Sequence, residues 1–363
     1  MVIKSLQRRL RYEKIIGTWK KMKVFKSILY FHARQFIIFE TKPQRMKKVN
    51  LLCATAIIVA LLFTACNNPP GKKLTPGQGY IQVKGGRIWY NVVGTGNKTP
   101  LLLLHGGPGV PSYYLNPIAE LGKDRPVIFF DQLGCGRSDR ITDTALMTMD
   151  NYIAEVKALR HSLGLKDYYL YGQSWGTMLG TDFYLAHPEG IKGLILSSSA
   201  LSIPRWMEDA QKQIATMPDS IQQIIKVNEA AKTYDSPDYQ RAMKVYYEKY
   251  VARKVPWSAD VDSAFSQEGD NVYLYMEGPS EFTITGTIKT YDRTPDLGKL
   301  KLPVLYIVGD NDEANPETTK YYQSLTPGAK LAIIKNAGHL TMQDNPEQHN
   351  QVLSAFLDSL DGR

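Results

Sequence analysis

Residues 168–177 read Tyr168-Tyr169-Leu170-Tyr171-Gly172-Gln173-Ser174-Trp175-Gly176-Thr177. The apolar run at the front predicts a buried strand. The glycines around Ser174 predict a sharp turn, with a helix starting near Trp175. A serine on such a turn stands clear of its own backbone, and the N–H of the next residue lies beside it at a helix N-terminus. That is the G-x-S-x-G pattern of a nucleophile elbow. Taken by itself the pentapeptide is a weak signal, because glycines flank serines in many loops. Its weight comes from what surrounds it.

Leu101–Leu104, Val127–Phe130, Gly193–Leu196, Val304–Val308 and Leu331–Ile334 are short, continuous apolar runs. Such runs mark strands buried on both faces of a parallel sheet. Ahead of them, Tyr80–Lys84 and Arg87–Val93 flank Gly85-Gly86 and read as a hairpin. Helical stretches, notably Met149–Leu163 and Gly176–Ala186, lie between the apolar runs. The alternation predicts a mostly parallel α/β sheet with helices on both faces, formed by residues 80–200 and 301–363. From 201 to 300 no buried strand is visible. Helix-like runs at Arg205–Thr216, Ser220–Lys232 and Pro237–Arg253 instead predict a helical cap inserted after the sixth strand.

An α/β-hydrolase places nucleophile, acid and base in that chain order, each on a loop after a strand. Val304–Val308 is followed by the acid-rich Gly309-Asp310-Asn311-Asp312-Glu313, and Leu331–Ile334 by Lys335-Asn336-Ala337-Gly338-His339. His32, His105, His161, His187 and His349 fall in a leader, a strand-end turn, helices or a helix end, so His339 is the base candidate for Ser174. Asp310 and Asp312 both compete to hold its second nitrogen. His105-Gly106-Gly107-Pro108-Gly109 follows the third strand, where this fold forms part of its oxyanion hole. Gly107 N–H and Trp175 N–H are the expected donors, and loss of one such donor costs ~10²–10³ in turnover. No His/Cys cluster has ligand spacing, so neither metal nor organic cofactor is expected. Cys135, set between Gly134 and Gly136, reads as a small packed residue.

Five separated segments, in order, resemble the proline iminopeptidase family of serine peptidases, in particular its tricorn-interacting aminopeptidase branch. They are His105–Gly109, Asp131-Gln132-Leu133-Gly134-Cys135-Gly136-Arg137-Ser138, Gly172–Gly176, Gly278-Pro279-Ser280-Glu281-Phe282-Thr283-Ile284-Thr285-Gly286 and Gly338-His339-Leu340-Thr341-Met342. The resemblance spans roughly residues 78–360. It implies an α/β-hydrolase core under a helical cap, and release of N-terminal residues, often proline, from short peptides. It assigns the triad to Ser174, Asp312 and His339, because the family's G-x-x-D-E pattern aligns Gly309 with Asp312-Glu313. It also implies that Glu281 and Glu313 bind the substrate's free α-amine. The physics agrees, since an exopeptidase must measure one residue from a charged end. One departure is Thr177, where the family often has a second glycine.

The net charge of +9 suggests nucleic acid until its distribution is read. Residues 1–45 hold twelve Lys/Arg against two acids, and residues 46–65 add two lysines; 30 basic and 33 acidic residues remain from Cys66 onward. The folded part is mildly acidic, so no nucleic-acid partner is expected. Lys47-Lys48, the apolar stretch Leu51–Phe63 and Thr64-Ala65-Cys66 have the layout of an export signal. Leu62–Cys66 resembles the lipobox of bacterial lipoproteins, with Cys66 lipidated as the mature N-terminus. Thirteen residues fall short of the ~20 that span a bilayer. Residues 1–45 then read as a mis-annotated upstream extension, 46–65 as the signal peptide and 66–79 as a flexible tether. The expected product is a lipid-anchored, periplasm-facing aminopeptidase of unknown oligomeric state, held at a bacterial cell envelope by its membrane anchor. An esterase or other amide hydrolase on the same triad is the alternative. Epoxide hydrolases and dehalogenases of this fold need an aspartate nucleophile, which Ser174 is not.

Overall fold

A computed structural model describes residues 74–362. The upstream extension, the signal peptide with Cys66 and the first part of the tether lie outside the described residues. Eight strands form one sheet: β1 (Gly77–Val83), β2 (Gly86–Val93), β3 (Leu101–Leu104), β4 (Val127–Asp131), β5 (Tyr168–Ser174), β6 (Ile191–Ser199), β7 (Val304–Gly309) and β8 (Lys330–Ile334). Their order is β1-β2-β4-β3-β5-β6-β7-β8. β1–β2 and β2–β4 pair antiparallel, and the remaining neighbours pair parallel. β1 begins at Gly77, three residues before the apolar pattern marks it. Gly77–Gly79 pair with Val92–Tyr90, so this part of the strand carries hardly any side-chain signal.

Both faces of the sheet are covered. Leu102, Leu104, Tyr168 and Leu170 enter one hydrophobic cluster, while Leu101, Leu103, Tyr169 and Tyr171 enter another. This is the period-two alternation of strands with helices on each side. The first cluster holds Tyr152, Val156 and Leu159 of α1 (Met149–Ser162) and Met178, Leu179 and Phe183 of α2 (Trp175–Ala186). The second takes Tyr114, Leu115 and Ile118 from the 3₁₀ segment Ser112–Lys123.

Five helices follow β6: α3 (Ile203–Ile214), α4 (Asp219–Ala231), α5 (Pro237–Tyr250), α6 (Ala259–Ser266) and α7 (Asp270–Met276). They carry a small core of their own, with Ile214, Ile225, Tyr239, Tyr246 and Phe282. The first three match helix-like runs in the sequence. α6 and α7 span eight and seven residues, too short to show a helical period. The chain then returns through β7, α8 (Pro316–Leu325), β8, α9 (Thr341–Asp344) and α10 (Pro346–Asp361). The buried Arg125 guanidinium ties α10 to the sheet through Asp358 (3.0 Å) and Asp361 (2.8 Å). Among the described residues, no helix is long and apolar enough to cross a membrane.

β5 passes into α2 through Ser174, which sits at φ 55° and ψ −123°. Glycine is required on either side of it. A Cβ on Gly172 would lie 2.1 Å from Gly176 O, and one on Gly176 would lie 2.2 Å from Leu104 O. Both obstacles are backbone and cannot swing aside. Gly176→Ala should therefore destabilise by about 1–3 kcal/mol, read as a lower midpoint in thermal or denaturant unfolding. An unchanged midpoint would contradict the close approach.

Candidate active site

Ser174, Trp175 and Gly107 line one cleft with Met178, Ala200, Ile203, Trp206, Glu277, Glu281 and Ile288. The cleft encloses about 200 Å³ of empty space, part of it open to solvent. Trp175 opens α2, so its N–H is among those a helix leaves without an internal partner. Gly107 has φ 102°, a left-handed conformation that favours glycine. The two expected oxyanion donors thus flank Ser174 in one cleft.

His339 and Asp312 are joined, with Nδ1 2.9 Å from Oδ1. Asp312 Oδ1 also accepts from Ala314 N (2.8 Å), and Oδ2 accepts from Gly309 N (3.1 Å) and the Ser198 hydroxyl (2.6 Å). Four donors therefore converge on one carboxylate. The competing Asp310 faces away, accepting from Asn311 and from Ala337 N. The indole of Trp206, itself on the cleft wall, meets the His339 ring edge-on at 5.5 Å. Gln173 Nε2, one residue before Ser174, donates to His339 O at 3.3 Å. Ser174 Oγ makes no hydrogen bond to His339 in this arrangement; such contacts are commonly long in a substrate-free site.

Three buried or half-buried glutamates crowd the same end of the site. Glu281 lines the cleft and accepts from the Tyr273 hydroxyl at 2.8 Å. Burial raises its carboxyl, although His339 and the Tyr273 hydrogen bond pull it back down. Glu277 also lines the cleft, and burial followed by the charge of Glu281 holds it well above the ordinary carboxylate range. Glu313 lies behind the lining, its Oε1 3.7 Å from His339 Nδ1 and both oxygens buried without a hydrogen-bond partner. Burial and then Glu281 push it up strongly. Sequence reasoning named Glu281 and Glu313 but missed Glu277 and Ser198. An acid directly before Gly278, and three serines in a row at 197–199, were the available signals.

The family model described as alpha/beta hydrolase fold matches residues 99–346. The proline iminopeptidase of Heyndrickxia coagulans is 39% identical over 287 residues, covering 78% of this chain and 99% of that protein. The chain belongs to the proline iminopeptidase family of α/β-hydrolases. The Thermoplasma volcanium proline iminopeptidase is 32% identical over 284 residues, covering 77% of this chain and 96% of that one. The crystal structure of proline iminopeptidase from Mycobacterium smegmatis superposes with a TM-score of 0.74 at 32% identity, covering 78% of this chain and 99% of that one.

In this member of the proline iminopeptidase family, the turn after β4 supports the elbow from below. Gln132 Oε1 accepts from the Trp175 indole (2.9 Å), and Gln132 Nε2 donates to His105 O (3.1 Å). Gln132 N donates to His105 Nε2 (2.8 Å), which must therefore be unprotonated, and burial lowers that imidazole to about 4. The next residue, Leu133, donates its N–H to Glu155 Oε2 (3.0 Å), and burial raises the Glu155 carboxyl to about 8. A carboxyl raised on folding contributes stability that is full below its unfolded value, near 4.5, and lost as pH rises through about 8. Glu155→Gln removes that loss. Relative to the parent, the variant should gain unfolding free energy between pH 5 and pH 8, at about 1.4 kcal/mol per pH unit at most. A difference that stays flat across the range would refute the assignment.

Proposed function

We propose that the chain is a serine aminopeptidase that releases N-terminal residues, proline among them, from short peptides through an acyl-enzyme. The observation that carries this reading is the presence of Glu277 and Glu281 on the wall of the cleft that holds Ser174. A carboxylate cluster one residue from a nucleophile measures a peptide from its charged end. In this reading, Glu281, Glu313 and Glu277 receive the α-ammonium, which places the first peptide carbonyl against Ser174.

In this reading the reaction runs through the serine and the imidazole in turn. Ser174 Oγ attacks the carbonyl carbon while His339 takes its proton, and Asp312 holds the other imidazole nitrogen. Gly107 N–H and Trp175 N–H receive the oxyanion. On collapse, the C–N bond breaks and the leaving amine takes the proton from His339. Water, deprotonated by His339, then attacks the ester and frees Ser174 and the amino acid.

We further propose that Cys66 carries a lipid that anchors the enzyme at the cell envelope, facing the periplasm. This reading rests on residues 46–66 of the sequence. Labelled palmitate should enter the parent chain and not Cys66→Ser; equal labelling of both, or of neither, overturns it.

Two outcomes test the amine cluster. Glu281→Gln should lower kcat/KM for an aminoacyl-naphthylamide by about 30-fold or more, the lower end of the ~2–5 kcal/mol expected when one partner of a desolvated charge pair is lost. Hydrolysis of a neutral aryl ester should persist. If peptide cleavage survives, the site is that of an esterase or another amide hydrolase. The second outcome is a pH profile. Burial raises Glu277, Glu281 and Glu313, and the charge of Glu281 raises Glu277 and Glu313 further, with Glu268, raised to about 8, nearby. They must lose protons before they can pair with an ammonium. For peptides, kcat/KM should rise with pH above the ordinary carboxylate range and fall as the α-amine, ≈ 7.7–8.0, loses its charge. The aryl ester should lack that falling limb. Matching profiles for both substrates would exclude amine recognition.

A further inference from the structure

We infer that Tyr114 and Gln173 are positioning residues that lock the oxyanion loop, the nucleophile turn and the base loop together through one directional chain of hydrogen bonds. Gly106 N–H donates to the Tyr114 hydroxyl at 2.6 Å, and that hydroxyl donates to Gln173 Oε1 at 2.6 Å. The other end of the same amide, Nε2, donates to His339 O at 3.3 Å. Each link has one allowed direction. The backbone N–H can only donate, so the Tyr114 oxygen must accept from it and pass its own proton on to Gln173. Turning the Gln173 amide over would break both of its bonds at once.

The chain controls where an oxyanion donor points. Gly106 O accepts from Val110 N at 3.3 Å and lies 2.9 Å from His105 Nδ1. The planar peptide that carries this carbonyl also carries the Gly107 N–H, which points the opposite way. With Gly106 N held by Tyr114 and Gly106 O held from the other side, that N–H is aimed without any contact to substrate. The packing leaves no slack. A Cβ on Gly106 would lie 2.6 Å from Gln173 Oε1 and 3.0 Å from Ser174 Cβ. Tyr114 and Gln173 are each only 1% exposed, and neither lines the cleft. Burial holds the Tyr114 phenol well above its ordinary value, so it keeps the proton it donates.

The inference rests on the reading of Ser174 as nucleophile and goes beyond it, and the experiment separates the two. Tyr114→Phe and Gln173→Met keep the packing and remove the links. Each should lower kcat about tenfold on both a prolyl-naphthylamide and a neutral aryl ester, with KM changed by less than about twofold, since small misplacement of reacting groups costs rate rather than binding. Labelling of Ser174 by a fluorophosphonate should slow by the same factor. The double variant should be no slower than the worse single, because both interrupt one chain. A role in stability alone would lower the melting temperature and leave kcat per folded enzyme intact, which overturns the inference, as would losses that multiply in the double variant. If Tyr114→Phe does not fold, Gln173→Met alone decides. Activity retained by Ser174→Ala would defeat the nucleophile reading instead.

Discussion

The site depends on a backbone-to-backbone contact at the elbow. Gly172 and Gly176 let the start of α2 press against β5 and against Leu104 O at the end of β3, distances that no side chain could enter. That approach lets the helix begin immediately after Ser174, which places the Trp175 N–H beside the nucleophile. It also forces Ser174 into a φ of 55°, a strain of order 1–3 kcal/mol that persists only where the surroundings over-determine it. Sheet register supplies the rest. Leu104 pairs with Gly172, so the glycine loop after β3 emerges next to the elbow, and Ser174 pairs with Ser199, which brings the preceding Ser198 toward the acid loop after β7. Ser198 itself sits at φ 51°, so two neighbouring strands each carry a strained serine at or next to their C-terminal end.

The five-helix insertion belongs to the machinery. Tyr250 O and Val251 O, at the end of α5, accept from His339 N and Leu340 N at 2.9 Å each. Gln213 of α3 donates to Asp312 O at 3.0 Å, and the Trp206 indole donates to Glu281 O at 2.7 Å. The loops carrying base and acid therefore draw part of their backbone hydrogen bonding from the insertion, and both cleft glutamates stand on the segment that follows α7. A lid that swung away as a unit would break these bonds and disturb His339.

Much of this was legible from residue order. Continuous apolar runs located the strands after the hairpin, because a strand covered on both faces has no polar side to show. The glycine–serine pattern located the turn for a comparable reason, since only glycine tolerates the contacts on either side of Ser174. Asp312 and Asp310 could not be separated by composition, and the family pattern chose between them before geometry did. What remained hidden depends on contacts between distant segments. Nothing near Ser198 in the sequence says that its hydroxyl will meet a carboxylate 114 positions away. Tyr114 looks like one of many core aromatics until its hydroxyl is found between two catalytic loops. Glu277 stands four residues from Glu281, and only the fold of the segment after α7 turns both toward one cleft.

The electrostatics of that cleft tie binding to chemistry. Asp312 and Glu313 are adjacent and both buried, yet one receives four hydrogen bonds and the other none. Among the described residues, no lysine or arginine pairs with Glu277, Glu281 or Glu313. Like charges this close cannot all ionise without a counterion, so the empty site retains protons that an exposed carboxylate would shed. In the proposed aminopeptidase reading, a substrate ammonium supplies that counterion and binds by displacing those protons. Its positive charge then lies near His339 and would disfavour the imidazolium formed during attack. The carboxylates that receive the ammonium cannot also neutralise that imidazolium in full. In that reading Asp312, saturated by fixed donors and pointed at Nδ1, is left to do so, which gives a physical reason for keeping the acid that holds His339 separate from Glu313, one residue away.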